Sequence, residues 1–274
     1  MRPYSRVYAT VNLDAVASNM RSMRDNLPAS TLIMGSVKAD GYGHGSVPVA
    51  KTIEPYVFGY AVATIDEGII LRRHGINKTI LILGVTHESR YEDLLRYDIR
   101  TAMFQYEKAK KLSDLALKQG KKAVVHLALD TGMSRIGMKA DREHAKEAAA
   151  IAALEGIEVE GLFTHFARAD ETDKSAYEEQ YRRYKEFLGY LKELGVKIPI
   201  RHCSNSAGIV ESLESNHMDM VRAGIAIYGM YPSDEVDHNS VKLTPAMEIK
   251  SCITYIKEIE AGTAVSYGGT FVAD

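Results

Sequence analysis

A lysine at the end of an apolar segment is the first residue whose type and place suggest chemistry. Lys38 directly follows residues 31–37 (TLIMGSV), which have the length and composition of a buried strand. An amine held beside such a strand is partly desolvated, and desolvation favours the neutral form that reacts with a carbonyl group. Position alone still favours a solvated lysine that ends a strand, so the neighbouring residues must decide.

Three glycines surround a tyrosine and a histidine directly after Lys38. Residues 39–45 read ADGYGHG, and the next helix is predicted to begin near Gly45. Glycines permit backbone turns that other residues cannot make, and they let the backbone approach a ligand closely. The free N–H groups at the start of a helix attract anions. The segment therefore predicts a ligand-binding loop beside the lysine, although a plain glycine-rich turn has the same composition.

The elements that must position this loop alternate between apolar strands and amphipathic helices. The strand-like segments are residues 31–37, 57–62, 79–83, 99–104, 123–129, 159–164, 198–203 and one near 218–222. Helices are predicted at residues 107–119, 142–154 and 173–194. The last of these places Tyr177, Tyr181, Tyr184, Leu188 and Leu191 on one buried face.

Continuous apolar strands, each followed by a helix, indicate an α/β fold with a parallel sheet covered on both faces. Eight such units predict a closed (β/α)8 TIM-type barrel, whose functional groups lie at the carboxyl ends of the strands. An open doubly wound sheet is the alternative. Its dinucleotide-binding version is disfavoured because ADGYGHG is not a GxGxxG motif, and no P-loop is present.

The pattern changes after Pro245. Residues 248–259 (EIKSCITYIKEI) alternate as a strand does, and residues 265–272 (VSYGGTFV) predict a second strand after a turn. We expect residues 13–240 to form the barrel and residues 241–274 to form part of a C-terminal β domain. Residues 1–12 are expected to supply a strand that pairs with that domain. Two strands are marginally stable alone, so the β domain is predicted to be incomplete.

Composition excludes several classes of protein. The chain has 274 residues, of which 46% are hydrophobic and 26% charged, with a formal net charge of −2. This balance gives no reason to expect nucleic acid or an anionic membrane as a partner. The two cysteines lack the spacing of a metal site, and no metal is expected. No signal peptide or membrane-spanning run is evident, which predicts a cytoplasmic protein.

Residues 37–45 (VKADGYGHG) resemble the cofactor-lysine motif of the alanine racemase family, V-K-A-[DN]-[AG]-Y-G-H-G. Five further segments match that family in order along nearly the whole chain. They are DTGMSRIGM (130–138), the TH within LFTHF (162–166), HCSNSAG (202–208), MVRAGIAIYG (220–229) and VSYGGTF (265–271).

This resemblance implies pyridoxal 5′-phosphate-dependent racemisation of L-alanine and D-alanine by two bases, one on each face of the amino acid. Lys38 matches the lysine that carries the cofactor and acts as one base. Tyr267 matches the second base, and His165 matches the histidine that bonds this tyrosine and an arginine. Arg222 matches the arginine that faces the pyridine nitrogen; because a guanidinium group donates hydrogen bonds but accepts none, it leaves that nitrogen unprotonated.

The resemblance also implies the rest of the cofactor site. Tyr42, Ser206, Gly224 and Ile225 match phosphate-binding positions, and barrels often bind phosphate in the loops after strands seven and eight. Asn205 matches a neighbouring position in the cofactor site. Ser206 is also a plausible simple helix N-cap.

Arg135 matches the arginine near the cofactor's phenolic oxygen and the substrate carboxylate. Many relatives carry a carbamylated lysine three residues before the threonine of DTG, where this chain has Ala128. We therefore expect another acceptor, a bound anion or no group at all to orient Arg135. The family forms head-to-tail homodimers, so the resemblance implies that Tyr267 acts in the partner's site. Because the β domain is expected to be incomplete, we also expect weakened dimerisation and reduced turnover.

Other functions fit parts of this pattern. The family's role is to supply D-alanine for peptidoglycan, but a serine racemase of the same architecture shares these motifs. A non-catalytic pyridoxal phosphate carrier needs no second base such as Tyr267. A decarboxylase with this barrel usually has a carboxylate at the pyridine nitrogen, where Arg222 stands here. A catalytically weak cofactor-binding fragment is also compatible with an incomplete β domain.

Overall fold

The structure is a computed structural model that describes residues 6–274. It divides into two compact units. Residues 12–246 form the larger unit, and residues 6–11 together with 247–274 form the smaller one. The predicted N-terminal segment, residues 1–12, includes residues 1–5, which lie outside the described residues.

The strands alternate with helices through most of the larger unit. The strands are β1 (Val7–Val11), β2 (Leu32–Ser36), β3 (Gly59–Val62), β4 (Thr79–Ile82), β5 (Arg100–Met103), β6 (Ala123–Asp130), β7 (Met138–Lys139), β8 (Ile157–Phe163), β9 (Ile200–His202), β10 (Met220–Ala223), β11 (Met247–Ser251), β12 (Ala264–Val265) and β13 (Phe271–Val272). The helices are α1 (Leu13–Asp25), α2 (Lys38–Tyr42), α3 (Ser46–Ile53), α4 (Ile65–Arg73), α5 (Tyr91–Tyr97), α6 (Tyr106–Lys118), α7 (Arg142–Ala152), α8 (Ser175–Glu193) and α9 (Ser206–Val210).

Eight parallel strands close into a barrel. Their order around the barrel is β2, β3, β4, β5, β6, β8, β9 and β10, and β10 pairs with β2 to complete the ring. Each predicted strand segment overlaps one of these strands, so the predicted (β/α)8 barrel is confirmed and the open sheet is wrong. The two-residue strand β7 pairs only with the end of β6.

The predicted helices are present, with one difference in the buried face of α8. Tyr177, Tyr181, Tyr184 and Leu191 are buried as predicted, but Phe187 takes the place expected for Leu188. Leu188 is only partly buried against the core. The larger aromatic ring occupies the more central position of the two adjacent residues.

Alternation along the strands decides which side chains fill the barrel interior. Met34, Ala61, Leu81, Ile200 and Met220 form a small cluster separate from the large one that contains their strand neighbours, such as Ile33, Val62, Ile80 and Val221. Because successive side chains point to opposite faces of a sheet, the small cluster lies inside the barrel. The same period of two places His202 and Arg222 inside, two residues beyond Ile200 and Met220.

The smaller unit contains two short antiparallel pairs. β1 pairs with β11 in the register Val7 to Ser251 and Val11 to Met247, and β12 pairs with β13. The predicted strand over residues 248–259 is wrong beyond Ser251, because residues 252–260 have no regular secondary structure. Among residues 6–274 no strand pairs with residues 253–260, and alternation alone cannot satisfy a strand's backbone groups.

The predicted strand over residues 265–272 is also wrong in its middle. Gly268 and Gly269 have φ angles of 76° and 53°, in the left-handed region that interrupts a strand. The segment therefore turns at Tyr267–Gly269 and leaves the two-residue strands β12 and β13 on either side.

Candidate active site

The loop that follows Lys38 has an unusual backbone. Ala39, Asp40, Gly41 and Tyr42 have φ angles of 50°, 50°, 62° and 54°, so the short element α2 is a left-handed turn. Such a turn costs free energy for residues with a side chain. The next helix, α3, begins at Ser46 after Gly45, which confirms its predicted start.

A carboxylate from the first turn of helix α4 holds this turn. Glu67 Oε1 accepts a hydrogen bond from the backbone N–H of Ala39 at 2.8 Å. Its Oε2 accepts from the N–H of Ala63, the residue after β3, at 2.6 Å. One side chain therefore joins the ends of β2 and β3 next to Lys38.

Arg222 is buried at the carboxyl end of β10, with its guanidinium surrounded by acceptors. It donates to the backbone carbonyls of Thr164 (2.6 Å), Cys203 (3.0 Å) and His202 (3.1 Å). It also donates to Nδ1 of His202 at 2.8 Å. Burial lowers the pKa of Arg222 to about 10, so the group remains charged at neutral pH. These bonds fix the orientation of a buried positive charge.

His165 lies beside Arg222, and its Nδ1 is 3.5 Å from the Arg222 guanidinium. Burial, followed by the charges of Arg222, Arg135 and Lys38, lowers the pKa of His165 to about 3. The imidazole is therefore neutral at physiological pH. Because arginine only donates, Nδ1 of His165 is the acceptor, and Nε2 carries its single proton.

Lys38, Arg135, His165 and Arg222 line one cavity of about 190 Å³. Its other walls are apolar and include Leu83, Leu129 and Phe163. The cavity lies where β2, β6, β8 and β10 end, which is the face where barrels carry their functional groups. Three cationic side chains around an apolar cavity favour a small ligand with negative charge.

A second cavity of about 330 Å³ shares Lys38, Leu83, His165 and Arg222 with the first. The sequence-predicted residues Tyr42, Asn205, Ser206, Gly224 and Ile225 all line it. The structure thus brings together the sequence-predicted site residues of the larger unit.

Ser206 does not cap helix α9 as a simple N-cap would. The cap is Asn205, whose side chain accepts from the N–H of Gly208 at 3.2 Å. Ser206 Oγ instead accepts from the N–H groups of Gly224 (2.9 Å) and Ala226 (3.3 Å), and so ties α9 to the loop after β10. Its hydroxyl proton is left to donate into the cavity.

Tyr267, Arg135 and Ala128 differ from the other predicted positions. Tyr267 lies in the smaller unit, at a turn, with a fully exposed side chain. The Arg135 side chain has no hydrogen bond or ion pair within residues 6–274, and it is exposed at the cavity. Ala128 is buried with Ala102 and Phe163, so this position holds no charged group.

Sequence reasoning missed Glu67, Ser36 and His202. Glu67 ends the sequence TIDE, which resembles a capping box, and Thr64 does cap α4 by accepting from the Glu67 N–H. That signal predicts a helix start, but it carries no sign that the carboxylate reaches another loop. His202 was part of the matched HCSNSAG segment, and only the barrel geometry shows its contact with Arg222.

Comparisons with known proteins agree with this geometry. A family model described as alanine racemase, N-terminal domain, matches residues 11–232. The chain belongs to the alanine racemase family. It is therefore an enzyme of the amino-acid racemase class, as the motifs predicted.

Individual alanine racemases resemble the chain over almost all of its length. The alanine racemase of Desulforamulus reducens is 43% identical over 97% of this chain and 72% of its own length. That of Clostridium perfringens is 42% identical, over 97% of this chain and 68% of its own. The structure of Clostridium difficile alanine racemase superposes with a TM-score of 0.91 at 41% identity, covering 99% of this chain and 71% of that one. The chain thus spans about 70% of the length of these relatives.

Two further observations concern residues 6–274. No helix among them is long and apolar enough to cross a membrane. No group of three or more histidine, cysteine, aspartate or glutamate side chains is placed to hold a metal ion.

Proposed function

We propose that this chain interconverts L-alanine and D-alanine with pyridoxal 5′-phosphate bound at Lys38, and supplies D-alanine for peptidoglycan in the cytoplasm. The observation that carries the proposal is the convergence of Lys38, His165 and Arg222 on one cavity at the carboxyl end of the barrel. In an alanine racemase, a lysine, a histidine and an arginine at this place can hold the cofactor and assist proton transfer.

The residues present suit this cofactor. Ser36 Oγ is buried, lines the second cavity, and has no hydrogen-bond partner among the described residues. An unpartnered buried hydroxyl is costly unless a ligand satisfies it. Beside it, Tyr42, Ser206 and the loop at Gly224 and Ile225 would hold the phosphate. Lys38, Arg135 and Arg222 supply the positive charge that a phosphate and a substrate carboxylate require.

When bound, pyridoxal phosphate supplies a conjugated electron sink that makes the α-proton of an amino acid removable. The Lys38 amine takes or returns that proton on one face. Tyr267 of a second copy does so on the other face, within a head-to-tail dimer. Neutral His165 keeps its proton on Nε2, where it donates a hydrogen bond that stabilises the phenolate form of the tyrosine.

Arg222 sets the electronic character of the site. Its guanidinium can donate but cannot accept, so a ring nitrogen facing it stays unprotonated. A weaker electron sink limits side reactions such as transamination, which require a long-lived carbanion. Arg135, which has no described partner, is left to bind the substrate carboxylate as a planar fork.

Complementation between two inactive variants tests the shared site. Lys38→Ala and Tyr267→Phe are each expected to lose the ability to racemise L-alanine. Chiral chromatography of the product measures this activity. If the second base comes from the partner, a mixture of the two variants regains up to about a quarter of wild-type activity, because half of the dimers carry one intact site. Activity that never returns in the mixture, while both variants still dimerise, would contradict the shared site.

Substrate choice is tested in the same assay with L-serine in place of L-alanine. The proposal expects a higher kcat/KM for alanine. A higher kcat/KM for serine would reassign the chain as a serine racemase of the same family.

A further inference from the structure

A row of buried titratable groups lies behind Arg222, inside the barrel. Nδ1 of His202 is 2.8 Å from the Arg222 guanidinium, and Nε2 of His202 is 2.8 Å from Nδ1 of His126. Nε2 of His126 is in turn 2.9 Å from Oε2 of Glu160. Both histidines are fully buried, and the proposed reaction uses neither His126 nor Glu160.

Only one arrangement of protons satisfies every contact in this row. Arg222 can only donate, so Nδ1 of His202 must accept. A neutral His202 then carries its proton on Nε2 and donates it to Nδ1 of His126. His126 likewise carries its proton on Nε2 and donates it to the Glu160 carboxylate. The direction of all three bonds is thus fixed by a cation at one end and an anion at the other.

The electrostatics of the row agree with neutral histidines and an ionised carboxylate. Burial lowers the pKa of His202, and the nearby Arg222 charge lowers it further. Burial also lowers the pKa of His126, against the opposing effect of Glu160. The pKa of Glu160 is lowered, because the contacts with His126 and Arg100 act against burial, which raises it. Arg100 is the other charged group facing Glu160, at 3.5 Å.

The backbone of the barrel is shaped to accommodate the row. Val125 pairs with Val159, but His126 pairs with Gly161, so Glu160 is the extra residue of a β-bulge. Bulges redirect a side chain that the regular pleat would aim elsewhere. A Cβ at Gly161 would lie 2.5 Å from Nδ1 of His126, so only glycine leaves room for this ring.

We propose that Glu160 and His126 are positioning residues for Arg222. They act by holding His202 in the tautomer whose unprotonated Nδ1 accepts a hydrogen bond from the guanidinium. Without an acceptor at position 160, the Nε2–H of His126 is buried without a partner, so this tautomer loses part of its advantage over the Nδ1–H form. A proton on Nδ1 of His126 opposes the Nε2–H of His202, and His202 relieves this only by carrying its own proton on Nδ1, where it opposes the Arg222 N–H groups. The effect of this positioning on catalysis rests on the proposed function, in which Arg222 acts on the bound cofactor.

Nitrogen-15 NMR of the full chain with labelled histidine rings reads the tautomers directly. In the wild type, His126 and His202 are expected as neutral Nε2–H forms, assigned with His126→Gln. In Glu160→Met, which removes the acceptor but keeps a similar volume, the ratio of Nε2–H to Nδ1–H in His126 is expected to fall at least about tenfold. Glu160→Gln, whose amide oxygen still accepts, is expected to keep the wild-type tautomers.

Glu158 provides the matched control, because it lies on the same strand with an exposed side chain. Glu158→Met should leave both histidines unchanged. The proposal is overturned if either wild-type histidine is protonated on Nδ1 or charged at neutral pH, or if a folded Glu160→Met keeps the wild-type ratio. The wild-type spectrum is a test in itself if Glu160→Met does not fold. The NMR readout needs neither cofactor nor turnover. It therefore tests the positioning proposal separately from the proposed racemase function.

Discussion

The carboxylate of Glu67 accepts a hydrogen bond from the backbone N–H of Ala39 at 2.8 Å, one residue beyond Lys38, the proposed cofactor lysine. Because Ala39 begins a left-handed turn, this contact supports a backbone that its own residues do not favour. The second oxygen of Glu67 binds the loop after β3. The place of Lys38 therefore depends on a side chain from another βα unit.

Removal of this carboxylate should weaken both the fold and the cofactor site. Glu67→Ala leaves two backbone N–H groups without their acceptor, and the free energy of unfolding should fall by about 1–3 kcal/mol. The turn after Lys38 should loosen, so the dissociation constant for pyridoxal phosphate should rise. Urea denaturation and cofactor titration measure the two effects. Glu92→Ala, an exposed residue in the first turn of α5, controls for loss of a helix-start carboxylate. Equal behaviour of the two variants would contradict the assigned role.

The buried neutral histidines should make the protein labile to acid. His126, His165 and His202 have folded-state pKa values below their ordinary value of 6.5, so the unfolded chain binds more protons than the folded one once the pH falls below about 6.5. Their contribution to stability is complete above that pH and is lost as the pH falls towards the folded-state values. His165, whose folded-state pKa is lowered to about 3, should alone cost about 1 kcal/mol of stability one pH unit below 6.5. Urea denaturation at pH 7.5 and 5.5 measures this change. An unchanged free energy of unfolding would show that these rings titrate normally.

A methyl group at Gly161 should disturb the barrel interior. The added Cβ would meet Nδ1 of His126 at 2.5 Å and the Ile200 carbonyl at 2.9 Å, and the backbone cannot retreat. Gly161→Ala should lower the free energy of unfolding by about 1–3 kcal/mol. Gly189→Ala on α8, where nothing lies within 4 Å, should instead stabilise by up to about 1 kcal/mol. Thermal denaturation is expected to show that the two substitutions change stability in opposite directions. A Gly161→Ala variant as stable as the wild type would contradict the packing described.

Lysine should not replace Arg222, although it keeps the charge. An ammonium group cannot match the planar fork that serves His202 together with the Thr164 and Cys203 carbonyls. Arg222→Lys should leave buried acceptors unpaired and lower the free energy of unfolding by about 2 kcal/mol. Arg142→Lys, in an exposed ion pair with Glu193, should change it by less than about 0.5 kcal/mol. Similar effects of the two substitutions would show that Arg222 is held by charge alone.

The barrel was predictable because continuous apolar runs and period-3.6 patterns report burial directly. Each of the eight apolar segments between residues 31 and 222 became a strand within two residues of its predicted ends. The smaller unit was less predictable because strand pairing depends on a partner. Residues 252–260 alternate as a strand does, but pattern alone does not supply hydrogen bonds.

The site was predictable where a family motif named the residue and unpredictable where geometry alone recruits it. Lys38, His165 and Arg222 are far apart in sequence and share one cavity because each lies at the carboxyl end of a barrel strand. Glu67 and Glu160 look like a helix cap and an exposed strand residue. Their contacts depend on the approach of helix α4 to the turn after β2 and on a β-bulge, neither of which has a sequence signal of its own.

The most direct test of the account is the covalent bond between Lys38 and the cofactor. The purified chain is incubated with pyridoxal 5′-phosphate, reduced with borohydride, digested and examined by mass spectrometry. The account predicts one dominant adduct, on Lys38, and its loss together with the cofactor absorbance in Lys38→Ala. A protein that retains the chromophore and a reducible adduct after Lys38→Ala would contradict it.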